Sequence, residues 1–180
     1  QDQKEHGGLI TAEDLANYQV RKLEPIRISY RDVELLFPAM PSTGGALIAF
    51  ALKLLESVDI AKMEVLSPGH IRALAETMRL TNVARPLWDA EASSIDARIE
   101  RFLNEKHISQ YQSQLYEILR GGNHPAEPAY PKGPDHTTHI SVVDAAGNFV
   151  GVTTTAGESA GYVVEGTGLC FNNMLGEADL

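Results

Sequence analysis

A mixed helix-and-strand fold with a largely antiparallel sheet is predicted by three observations. Apolar residues at helical spacing recur from Ala46 to Leu119. Alternating runs flank Arg31-Asp32, and two further strand-like runs flank Asp144 to Asn148. The helices and one hairpin come first, and the remaining strands come last.

Taken in order, Thr11 is placed to cap a short helix, with Glu13 and Asp14 at its positive end. That helix is expected to stop before Glu24-Pro25. Ile26, Ile28 and Tyr30, then Arg31-Asp32, then Val33 to Phe37 predict a hairpin closed by Pro38 and Pro41. Pro41-Ser42-Thr43-Gly44-Gly45 leads into a helix over 46–56, whose nearly continuous apolar content implies deep burial. A glycine pair before a helix can cradle an anion. No phosphate-loop lysine follows, so a tight turn with close helix packing is the favoured reading.

Ser67-Pro68 marks the next helix start, and Ile71, Leu74, Ala75 and Met78 carry it to about Val83. Ile95, Ile99 and Phe102 predict another helix; Tyr111, Leu115, Ile118 and Leu119 predict one more, ended by Gly121-Gly122. Residues 121–136 hold four prolines and three glycines and read as an exposed linker or long loop. Thr138 to Val143 and Phe149 to Thr155 are strands about a turn at 144–148. Leu169-Cys170-Phe171 is a short strand among turn glycines.

The length suits one globular domain. A formal net charge of −9 leaves no basic surplus for nucleic acid or an acidic membrane surface. The longest apolar run, Ala46 to Leu52, is cut by Lys53 and is too short to span a bilayer. A single cysteine, Cys170, excludes an intrachain disulfide and a thiolate-rich zinc cluster. No signal peptide is visible at Gln1 to His6, which says little if the chain is a piece of something larger.

His136-Thr137-Thr138-His139 stands where the linker meets a strand. Alone, the threonine pair reads as β propensity. The two histidines have no acid or thiol at a ligand spacing, so a hydrogen-bonded surface or strand histidine is expected, and no metal.

The wider pattern carries more. Thr137-Thr138-His139-Ile140-Ser141-Val142-Val143-Asp144, Gly147-Asn148 and Thr153-Thr154-Thr155 resemble the γ-glutamyltranspeptidase family around its autoprocessing site. Gly166-Thr167-Gly168-Leu169 and Phe171-Asn172-Asn173-Met174-Leu175-Gly176-Glu177 are similar too. So are Gly8 to Leu15 and Pro41 to Gly45, and the helical middle carries the likeness least.

The resemblance implies an α+β fold of the N-terminal nucleophile hydrolase type, a partial αββα sandwich. It implies a precursor that cuts itself between His136 and Thr137. Residues 1–136 would end the large-subunit region, and 137–180 would begin the small one. A hydroxyl is a weak nucleophile until a base takes its proton. Cleavage frees an α-amine on Thr137, with an ordinary pKa of about 7.7–8.0, able to serve as that base. Thr155 corresponds to the threonine that hydrogen-bonds the nucleophile.

The implied substrates are glutathione-like γ-glutamyl amides, with water or an amine as acceptor, and no cofactor. Gly157, Met174 and Glu177 stand where the family grips the glutamyl group with Asn, Gln or Glu, and Asp. Glu177 keeps a charge able to pair with an ammonium, whereas Gly157 and Met174 remove polar contacts. Two alternatives follow: a related acylase cutting another amide such as a glutaryl side chain, and an unprocessed, non-enzymatic homologue. The family's oxyanion-hole glycines would lie beyond Leu180 and its carboxylate-binding arginine before Gln1, so the isolated piece is expected to be inactive. The resemblance implies a periplasmic or extracellular location, with the cytoplasm as alternative.

Overall fold

The computed structural model describes residues 5, 7–38, 40, 42–123, 125–126, 137–155 and 159–172. The chain divides into two compact units, 21–129 and 1–20 with 130–180.

In the unit 21–129, strands β1 (Ile26–Tyr30) and β2 (Val33–Phe37) form the predicted hairpin. Their register runs from Ile26 opposite Phe37 to Tyr30 opposite Val33. The turn puts Arg31 at φ 53°, a left-handed conformation that costs a non-glycine residue roughly 1–2 kcal/mol. A short helix, α1 (Ala12–Asn17), comes earlier in the chain, and α2 (Thr43–Leu55) follows the hairpin. The C-terminal end of α2 seats the turn. The Arg31 N–H donates to the Glu56 carboxylate at 3.1 Å, and the Lys53 ammonium donates to the Ser29 carbonyl at 2.9 Å.

Helix α2 buries Ala46, Ala49, Phe50 and Leu54, as its apolar run predicts. It begins at Thr43, so Gly44 and Gly45 lie inside its first turn rather than in a loop before it. A Cβ at Gly45 would sit 2.3 Å from the Pro38 carbonyl oxygen. Close backbone approach, not an anion cradle, accounts for that glycine.

Helix α3 (Pro68–Asp89) is capped by the Ser67 hydroxyl, which accepts from the His70 N–H at 3.3 Å. It runs past the predicted end near Val83 and through Pro86. An interior proline costs a helix about 3 kcal/mol. Tertiary contacts offset this. Trp88, fully buried, meets the Phe102 ring edge-on at 5.5 Å between centroids. The guanidinium of Arg101 donates to the carbonyls of Leu87, Ala90 and Glu91, each at 2.8 Å. These bonds fill acceptors that a helix end leaves unpaired.

Helices α4 (Ile95–Leu103) and α5 (Glu105–Leu119) follow as predicted, capped by Ser94 and Asn104. Gly121 takes φ 99°, its N–H donates to Ile118, and the Gly122 N–H donates to Glu117. This paired closure is the Schellman arrangement that ends α5. Phe50, Leu54, Leu80, Trp88, Phe102, Leu115 and Ile118 make one core from four helices, and Ile26 of β1 joins it. Between Gly122 and Thr137 the described residues hold no regular element. The Arg79 guanidinium donates to the Pro125 carbonyl at 2.7 Å.

In the other unit, α1 (Ala12–Asn17) opens on a complete capping box. The Thr11 hydroxyl accepts from the Asp14 N–H, and the Asp14 carboxylate accepts from the Thr11 N–H at 2.8 Å. The helix ends at Asn17, well before Pro25. None of its residues is buried, and six residues held by a cap alone do not propagate.

Strands β3 (Thr137–Val143) and β4 (Phe149–Thr155) form the second hairpin. β5 (Ser159–Val163) and β6 (Cys170–Asn172) pair antiparallel. β6 lies one residue beyond the predicted 169–171. β5 was not foreseen, because Ser159 to Val163 lacks apolar alternation and carries Gly161 at φ 68°. Pairing among the described residues is antiparallel throughout, but it is divided among three two-stranded ribbons rather than one sheet. Short connections within each ribbon explain the local pairing.

Candidate active site

The β3–β4 ribbon carries the candidate nucleophile. Its turn is built by Asp144, whose carboxylate accepts from the Ala146 N–H at 2.9 Å, the Asn148 N–H at 2.8 Å and the Asn148 side-chain amide at 2.7 Å. Gly147 supplies φ 83°, and its N–H donates to the Asp144 carbonyl. Hydrogen bonds chiefly from Asn148 hold the Asp144 carboxyl below the usual carboxylate range.

This turn fixes the register of everything above it. Val143 opposes Phe149, Ser141 opposes Gly151, His139 opposes Thr153 and Thr137 opposes Thr155. Side chains alternate between faces, so these eight residues share one face. Directly opposed residues place their Cβ atoms about 5 Å apart. Thr137 and Thr155, far apart in sequence, are therefore neighbours at the end of the ribbon away from the turn. Ile140, Val142, Val150 and Val152 occupy the opposite face, and all are exposed.

His139 is a hydrogen-bonded strand histidine, as expected. Its Nδ1 lies 2.6 Å from the Thr153 hydroxyl and its Nε2 lies 3.0 Å from the Ser141 hydroxyl. Ser141 and Thr153 belong to the motif, but nothing in the motif alone pairs them with His139. Counting outward from the Asp144–Asn148 turn would have placed Thr153 opposite His139.

The structure thus brings Thr137 and Thr155 together. His136, Gly157, Met174 and Glu177 lie outside the described residues. Among the described residues, no three His, Cys, Asp or Glu side chains gather as metal ligands would. No helix among them is long and apolar enough to cross a membrane.

Residues 1–178 match the family model described as gamma-glutamyltranspeptidase. The chain is 33% identical over 172 residues to the acylase ACY 1 proenzyme of Pseudomonas sp. (strain SE83), covering 94% of this chain and 30% of that protein. It is 30% identical over 172 residues to a glutathione hydrolase proenzyme of Pseudomonas aeruginosa, covering 93% of this chain and 30% of that one. The chain therefore spans about 30% of the length of these curated relatives. The crystal structure of Helicobacter pylori gamma-glutamyltranspeptidase superposes with a TM-score of 0.51 at 27% identity, over 66% of this chain and 33% of that one. This likeness gives the α+β architecture its type, the N-terminal nucleophile hydrolase fold. By the extent of the family match, the chain belongs to the gamma-glutamyltranspeptidase family.

Proposed function

We propose that this chain is the processing-site segment of an amide-cleaving acyl-transfer enzyme with Thr137 as nucleophile. The supporting observation is the register that sets Thr137 opposite Thr155 at the ribbon end.

The first step is self-cleavage. The Thr137 hydroxyl attacks the His136 carbonyl carbon, the C–N bond breaks, and the departing nitrogen takes the proton. Water then hydrolyses the resulting ester and releases the His136 carboxylate. Residues up to His136 and residues from Thr137 onward become two subunits of one precursor. Proenzyme relatives support this division.

The freed α-amine then acts as the base. It accepts the hydroxyl proton, directly or through a water, as Thr137 attacks the γ-glutamyl carbonyl. The leaving amine takes that proton, and a Thr137 ester remains. Water gives hydrolysis of the ester; an amino acid or peptide amine gives transpeptidation. Thr155 donates to or accepts from the nucleophilic oxygen and tunes it. By their place in the family motif, Gly157, Met174 and Glu177 are assigned to the acyl group, with Glu177 offering a charge for its ammonium.

A second reading is favoured by the acylase relative and by the residues at 157 and 174, which offer no polar side-chain partner for a charged glutamyl group. In that reading the same threonine cleaves a glutaryl or similar amide.

The test is intact mass of the full-length protein, followed by turnover of γ-glutamyl and glutaryl anilides. Two pieces divided between His136 and Thr137 are expected, with none from Thr137→Ala. A single uncut chain under all conditions would sink the proposal. Preference between the two anilides decides between the readings.

A further inference from the structure

We propose that His139 is a positioning residue for the Thr137 nucleophile, because its imidazole ties β3 to β4 on the face where Thr137 meets Thr155. The inference rests on the acyl-transfer reading above.

Thr137 and Thr155 form the outermost described pair of the ladder. A two-stranded ribbon is weakest at its open end, where one side of each strand has no further pair to hold it. The His139–Thr153 pair lies two steps inward on the same face. It is joined not only through the backbone but also by the 2.6 Å contact between Nδ1 and the Thr153 hydroxyl. The second ring nitrogen is engaged as well, 3.0 Å from Ser141. Rotating the ring would break both contacts.

The ring packs over Gly151, where a Cβ would make ordinary van der Waals contact with Cε1 at 3.4 Å and Nε2 at 3.5 Å. The ribbon thus combines a ring engaged at both nitrogens with a side-chain bond across the strands.

Nucleophilic attack is sensitive to position: a misplacement of about 1 Å can cost on the order of a hundredfold in rate. The imidazole bonds Thr153 and Ser141, not the reacting hydroxyl. Its effect passes through the register of the two strands to the threonine pair. Self-cleavage and later turnover need the same placement, so both depend on it.

The experiment uses the full-length proenzyme with His139→Ala, Thr153→Val and the double variant. The rate of self-cleavage is followed by intact mass. For chains that do cleave, kcat and KM are measured on whichever anilide the enzyme accepts. Each single variant is expected to slow cleavage and lower kcat about tenfold, the effect of losing one hydrogen bond. KM is expected to stay unchanged. The double variant is expected to be no slower than His139→Ala alone, because the bond to Thr153 is already absent there. His139→Asn, which keeps a polar atom near the Nδ1 position, is expected to recover part of the rate.

Wild-type rates in both single variants would overturn the proposal, as would multiplicative losses in the double variant or a change confined to KM. Thr153→Val conserves volume and keeps the test open if His139→Ala does not fold. Failure of the underlying reading looks different: the wild type would then stay uncut, or Thr137→Ala would cleave like it. If Thr137→Ala is inert while His139→Ala and Thr153→Val cleave normally, only the positioning role falls.

Discussion

Asp144 acts as the clasp of the hairpin that presents Thr137. Three N–H donors, from Ala146 and twice from Asn148, converge on its carboxylate. Folding lowers its pKa, so its contribution is present above the ordinary aspartate value of about 3.9 and is lost as pH falls through the depressed value. The expected outcome is an Asp144 carboxyl resonance that titrates below free aspartate, with Asn148 amide protection weakening only in that acid range. Titration at the ordinary value would show that the clasp is open in solution. The turn itself was legible, because Asp144, Gly147 and Asn148 are turn formers with distinct mechanisms. The His139 contacts were not, because a histidine's partners depend on register rather than on neighbours in sequence.

At the scale of the element, helix α3 shows where local signals stop being sufficient. Its start was written in Ser67-Pro68, and the structure keeps it. Its end was not, since Pro86 argues for a stop and Trp88 argues for burial. Burial prevails through a residue from another helix: Arg101 bonds three carbonyls at the end of α3. Arg101→Ala is expected to cost about 2 kcal/mol in a denaturant melt, in line with hydrogen bonds to a charged donor. Arg101→Lys keeps the charge but cannot fork across three acceptors, so an intermediate loss is expected. No loss in either variant would mean the last turn of α3 holds on packing alone. The helix α1 gives the converse lesson. Its capping box was readable and is formed, yet without a buried face the helix ends after six residues.

At the scale of the whole molecule, the single tryptophan reports on one unit. Trp88 is fully buried in the 21–129 core beside Phe102. Phe102 also packs against Phe50, the tilted rings 4.7 Å apart between centroids. Phe102→Ala is expected to destabilise that unit by about 3–5 kcal/mol, read as an earlier Trp88 fluorescence transition. An unchanged transition would show that the cavity collapses without loss. The core was legible because α2 is apolar over most of its length and α3 to α5 carry helical periodicity. The division into three ribbons was not, because alternation identifies a strand without naming its neighbour. Family membership came from motifs spread over most of the chain, and the match over residues 1–178 agrees with that spread.

The β3–β4 ribbon also imposes a rule of parity. Thr137 faces Thr155 because the steps outward from the turn are equal on both strands. One residue inserted or deleted within either strand would turn every later side chain to the opposite face. The chemistry proposed for this pair would then be lost without any change in composition, whereas an exchange that left both strands and the turn's span intact would keep it. Descendants of this sequence can therefore vary the identities in the turn more freely than they can vary the count of residues on either side.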